Sequence, residues 1–137
     1  MATATDVAEL LATHPKPTAV DRETLARCIA DCFDCARTCM VCADANLAEE
    51  DISEMRRCIR LCLDCADVCV ATGRIVARQT EADLGVIRSA LETCVVACRA
   101  SHAECRRHAD HHEHCRVCAE VCSRCEQACQ DLLAALG

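Results

Sequence analysis

The chain has 137 residues, 22 Asp and Glu against 15 Lys and Arg, and a formal net charge of −7. The length suits one domain with a real core, and the acidic balance argues against nucleic acid as a partner. Phe33 is the sole aromatic, Gly and Pro number 3 and 2, and Cys reaches 17, so strand formers and breakers are both scarce and an all-α protein is expected.

Up to Pro17 there is no basic n-region, and Asp6 and Glu9 interrupt the only apolar run. Neither a signal peptide nor a membrane span is expected, which points to the cytoplasm, where thiols stay reduced. An odd cysteine count also fits a disulfide framework poorly. Residues 4–14 read as a short helix with Thr5 as N-cap and Val7, Leu10 and Leu11 on one face, ended by Pro15 and Pro17. Residues 1–17 are thus a short helix and linker, and 18–137 the main domain.

The first long helix is expected from Thr18–Asp21 to about Leu47, with Cys28, Cys32, Cys35, Cys39 and Cys42 in steps of 4, 3, 4 and 3. Glu49 and Glu50 turn the chain. Asp51 and Glu54 resemble a capping box opening a second helix to about Arg78. That helix repeats the beat at Cys58, Cys62, Cys65 and Cys69. Thr80, with Glu81 and Asp83, opens a third helix to about Ala109, where Cys94, Cys98 and Cys105 leave Ser101 in a slot that the pattern assigns to Cys. Asp110–Glu113 form the last turn, and a fourth helix carries Cys115, Cys118, Cys122, Cys125 and Cys129 to about Leu136. Alternating steps of 3 and 4 place residues on one helical stripe. Four such helices with short links pack as an antiparallel four-helix bundle with the stripes facing inward.

Extending each stripe sorts the two ends. Leu25, Val76, Leu84, Ile87, Leu91, Leu132 and Leu136 collect as an apolar plug. Asn46, Met55, His108 and His111 collect as a polar mouth, with His112 and His114 at its edges and His102 flanking the seam. The expected object is a tube lined with thiols, closed at one end.

Cysteine can serve as a small core hydrophobe, but stripes of it on all four helices ask for more. Clustered thiolates favour Cu(I), Zn²⁺ or Fe–S. A Zn²⁺ with four thiolates is doubly negative, and a row of such sites is costly in a dry bundle, whereas one Cu(I) per thiolate is neutral. Ferredoxin-type spacings are absent, and no βαβ pattern surrounds the C-x-x-C pairs 32/35, 39/42, 62/65, 115/118 and 122/125. A general zinc-thiolate buffer and a thiol redox or Fe–S protein remain as alternatives. No base, oxyanion donor or substrate cleft is legible, so no enzyme is expected.

The four striped helices, the repeated C-x-x-x-C and C-x-x-C, and the mouth histidines resemble the cytosolic branch of the bacterial copper storage proteins over residues 18–136. The resemblance implies a homotetramer of four-helix bundles storing many Cu(I) ions per chain, for copper tolerance or supply. It implies the seventeen cysteines as ligands, with His108 or His111 at the mouth, and a copper chaperone as donor or acceptor.

Overall fold

The computed structural model describes residues 4–137; the first three residues of the 1–17 segment lie outside this range. Helix α1 (Val7–Ala12) is capped by Asp6, whose carboxylate accepts the Ala8 N–H at 3.0 Å. The expected cap, Thr5, lies one residue too early. Helix α2 (Arg22–Leu47) begins where Asp21 accepts the Thr24 N–H at 3.1 Å. A 3₁₀ turn at Ile52–Met55 leads into α3 (Arg56–Ala77). Helices α4 (Leu84–His108) and α5 (Glu113–Leu136) complete the chain.

Two expected helix starts are displaced. The Asp51–Glu54 capping box does not form: Glu54 N–H bonds the Asp51 backbone carbonyl at 2.9 Å, and the Asp51 carboxylate accepts instead from His112 Nε2 at 3.1 Å. Helix α4 starts at Leu84 rather than Thr80, because Glu81 has a left-handed φ of 57° that helical backbone does not allow. Asp83 is the working cap, accepting the Val86 N–H at 3.0 Å. At the far end of α4, Arg106, Arg107 and His108 face the negative end of its dipole.

Helix α2 packs beside α3 and α5, α4 packs beside the same two, and α1 lies against α2. With short links between successive long helices, this is the antiparallel four-helix bundle with a short N-terminal helix. Gly73 permits the close crossing of α2 and α3, since a Cβ there would sit 3.0 Å from the Phe33 ring. Among the described residues, no helix is long and apolar enough to cross a membrane.

The plug is built mainly as the stripes require. Leu25, Val76, Leu91, Leu132 and Ile87 are buried, and each such side chain stabilises the fold by about 1.5–3 kcal/mol. Leu84 departs from the pattern: as the first residue of α4 it is 51% exposed. It borders, with Leu25 and Leu136, a cavity of about 380 Å³ beneath the Lys16–Pro17 segment.

Because plug and caps owe nothing to a metal, the reduced, metal-free protein is expected to give a helical circular dichroism spectrum. Leu91→Ala should lower its stability by about 2–5 kcal/mol in denaturant unfolding, the usual cost of emptying a buried leucine site. A random-coil spectrum for the metal-free chain would sink this account.

Candidate metal site

All seventeen cysteines are free thiols and buried, none more than 1% exposed. The helical period explains this: each stripe turns all its sulfurs to the axis that the four helices share. Across the lumen, Cys39 and Cys122 lie 3.6 Å apart, as do Cys62 and Cys105, and Cys69 is 3.7 Å from Cys94. These separations suit thiol hydrogen bonds, far outside the S–S bond length of about 2.05 Å.

Four-sulfur groups recur along the axis. Cys32, Cys94, Cys125 and Cys129 form one; Cys35, Cys69, Cys98 and Cys125 another; Cys35, Cys39, Cys65 and Cys122 a third; Cys42, Cys62, Cys105 and Cys118 a fourth, each with sulfurs within 4.8 Å of one another. Cys125 belongs to two of these groups and Cys35 to two. Such shared corners suit sulfurs that bridge metals rather than isolated tetrahedral sites. Cys28 sits deepest, 3.9 Å from Cys129.

The proton balance of this array is uneven. Cys105 and Cys118 stabilise the Cys62 thiolate by donating to it, and Cys129 and Cys32 do the same for Cys125, so both are drawn far below the usual thiol range. Other thiols bear the opposite effect: Cys118 is pushed up by Cys105 and Cys122, and Cys98 by Cys125 and Cys35. A proton lost from one thiol is thus favoured only where its neighbours keep theirs, and burial raises the cost of every ionisation. Ionising the whole array requires a cation to replace each proton, and the soft sulfur set selects a soft cation.

The mouth differs from the stripe extension. His111 lies in the turn before α5 and is exposed, so it does not point inward. His108 is half-buried, and its Nε2–H donates to Glu104 at 3.1 Å. The buried Glu104 carboxylate also accepts from Arg107 at 3.1 Å and lies 3.8 Å from Arg57. The imidazole that meets sulfur is His114, assigned by the stripe to the edge: its Nδ1 is 3.4 Å from Cys42 Sγ and 3.6 Å from Cys115 Sγ. The helical period breaks between His108 and Glu113, so counting back from Cys115 selects His111, whereas the real helix begins one residue before His114.

Neighbours hold this imidazole. His112 stacks on His114 at 5.5 Å and is itself held by Glu49 and Asp51. His114 Nε2 is buried without a hydrogen-bond partner, 3.8 Å from Glu49. With the proton on Nε2, the Nδ1 lone pair faces the Cys42 and Cys115 sulfurs and is free to bind a metal when the thiols lose their protons. Asn46 Oδ1 accepts from Cys115 at 3.6 Å, and Met55 is fully buried. His102 bonds the Ala119 carbonyl at 2.8 Å and so ties α4 to α5. Glu104, buried among basic groups, is a feature the stripe reading missed; its place beside Cys105 in sequence was the available signal.

Comparison with known proteins agrees with this geometry. The copper storage protein family profile matches residues 21–134. The copper storage protein Ccsp from Streptomyces lividans, in a structure loaded with 10 copper equivalents, is 52% identical, with 94% of this chain and 98% of that one covered at a TM-score of 0.91. A structure of a cytosolic copper storage protein from the same organism, described as holding five coppers, is 53% identical over 84% of this chain and 96% of that one, with a TM-score of 0.83. An uncharacterized cysteine-rich protein of Bacillus subtilis, YhjQ, is 31% identical over 78% of this chain and 94% of its own length.

The burial of every sulfur has a direct chemical readout. Ellman's reagent should react slowly with the native, reduced protein and then count 17 thiols once the chain is denatured. Rapid native reaction of many thiols would contradict the closed lumen.

Proposed function

The chain belongs to the copper storage protein family, and from that membership we propose that it stores many Cu(I) ions on the cysteines of its lumen. The observation that carries this reading is the run of four-sulfur groups with shared corners, buried along one axis. Each uptake step exchanges a thiol proton for Cu(I): an S–H bond breaks, a Cu–S bond forms, the proton leaves to buffer, and no oxidation state changes. One cation per thiolate keeps the lumen near neutral, so successive ions meet no mounting charge penalty.

All seventeen cysteines act as ligands in this reading. His114, Cys42 and Cys115 take incoming copper at the mouth, where their donor atoms lie within 4.8 Å of one another. His111 at the exposed rim and His108 beside Glu104 are the outer receivers. The plug presents aliphatic groups and the Thr72 hydroxyl, which is turned to the Ala90 carbonyl, so it offers copper no soft donor, and loading and release use the mouth. The protein is a store rather than an enzyme, and it serves copper tolerance or supply.

The wider assignments follow the same reading. The bundle of residues 18–137 is the storage domain, with 1–17 as an appended helix and linker. A cytoplasmic setting is supported by the relative described as cytosolic. A homotetramer is supported by exposed Phe33, Met40, Val41 and Leu47 on α2 and Leu63 on α3, which offer apolar surface for association. A copper chaperone would meet the protein at the rim.

Anaerobic titration tests the storage reading. Cu(I) should bind at about 15–20 per chain, in keeping with one ion per thiolate; saturation at about four or five would favour tetrahedral sites of the zinc type. In stopped flow, His114→Ala should slow uptake several-fold with a nearly unchanged endpoint, and His111→Ala should slow it less. Wild-type rates in both variants would remove the mouth from the pathway.

A further inference from the structure

Ser101 is the one side chain on the four stripes that faces the middle of the lumen with oxygen instead of sulfur. It is fully buried. Its hydroxyl accepts from Cys122 at 3.4 Å and lies 3.8 Å from Cys62 and 3.9 Å from Cys39. These neighbours come from three different helices, so the hydroxyl stands where a fourth sulfur would complete a group.

The thiol hydrogen bonds divide at this level. Toward the mouth, Cys62 bonds Cys105 and Cys118, Cys105 bonds Cys58, and Cys42 bonds Cys115. Toward the plug, Cys39 bonds Cys35 and Cys122. Among the described residues, the sulfur pairs within 4.0 Å that join the two sets run through Cys118, at 3.7 Å from Cys39 and 4.0 Å from Cys122.

On the copper-storage reading, we propose that Ser101 is a break in the thiol array that divides stored Cu(I) into a mouth-side cluster and an inner cluster meeting only at Cys118. A neutral hydroxyl is a hard donor and a poor ligand for Cu(I), whereas thiolate is a good one. It also keeps its proton at neutral pH, so it brings no negative charge to offset a further cation. Copper can be held on either side of Ser101, but no ion is shared between Cys62 on one side and Cys39 or Cys122 on the other.

The test compares the full-length wild type, Ser101→Cys and Ser101→Ala, each reduced and loaded with Cu(I) to saturation, by copper count and by anomalous difference maps of crystals. The wild type and Ser101→Ala should share one endpoint and show no copper bound jointly by Cys62 and Cys122 or Cys39. Ser101→Cys should gain about one Cu(I) per chain, bound at the new sulfur and joining the two clusters. A copper bridging Cys62 to Cys122 or Cys39 in the wild type would overturn the proposal. So would a lower endpoint in Ser101→Ala, which would make the hydroxyl a ligand, or an unchanged endpoint in a folded Ser101→Cys. If Ser101→Cys does not fold, the wild-type and Ser101→Ala maps still decide. A wild type that takes up no Cu(I) would instead defeat the storage reading itself.

Discussion

A thiolate carries a charge that a dry helical lumen does not solvate, and this protein lines its lumen with seventeen groups able to carry one. Everything else in the fold is arranged around that constraint. Without a cation, hydrogen bonds from neighbouring thiols draw sulfurs such as Cys62 and Cys125 below the usual thiol range, while burial opposes ionisation. With a monovalent soft cation, each proton can be exchanged for a metal ion at no net cost in charge. The same packing that makes the metal-free lumen tolerable thus makes it receptive. The corners shared by adjacent four-sulfur groups let one sulfur serve more than one ion.

A core of small thiols buries less apolar surface per residue than a leucine core. The bundle compensates at one end, where Leu25, Val76, Leu91 and Leu132 pack with almost no exposure. Stability and function are therefore separated along the axis: aliphatic packing closes the tube, and thiols fill the rest. The close approach of α2 and α3 at Gly73, against the Phe33 ring and the Cys32 Cβ, adds a further tight contact. This division allows the metal-free chain to keep its fold, unlike small domains whose folding energy comes from the metal.

The open end is a polar assembly drawn from every long helix or its adjoining turn. Glu49 and Asp51 precede α3 and hold His112; His112 stacks on His114; His114 reaches Cys42 on α2 and Cys115 on α5. Glu104 on α4 is buried among Arg57, Arg107 and His108. A single chain of contacts thus runs from rim carboxylates to the first sulfurs. The carboxylates fix the His112 and His108 rings, and His112 in turn positions His114 by stacking on it.

The identity of the lumen lining was decided by sequence alone, because it rests on helical period, which is a local property. Steps of 3 and 4 place Cys28 through Cys42 on one face whatever α2 packs against, and the same holds for the other stripes. The sorting of leucines to one end and histidines to the other was legible for the same reason. What the tertiary structure decided is everything that depends on where each helix begins and how its register meets its neighbours. The left-handed Glu81 moved the start of α4 to Leu84 and left that side chain exposed. The turn after His108 reset the phase, turned His111 outward and brought His114 to the sulfurs. Asp51 became a partner of His112 rather than a cap. Which thiol faces which across the lumen, such as Cys39 with Cys122 or Cys62 with Cys105, depends on axial offsets between helices. Turns and packing set those offsets, and periodicity within one helix carries no information about them.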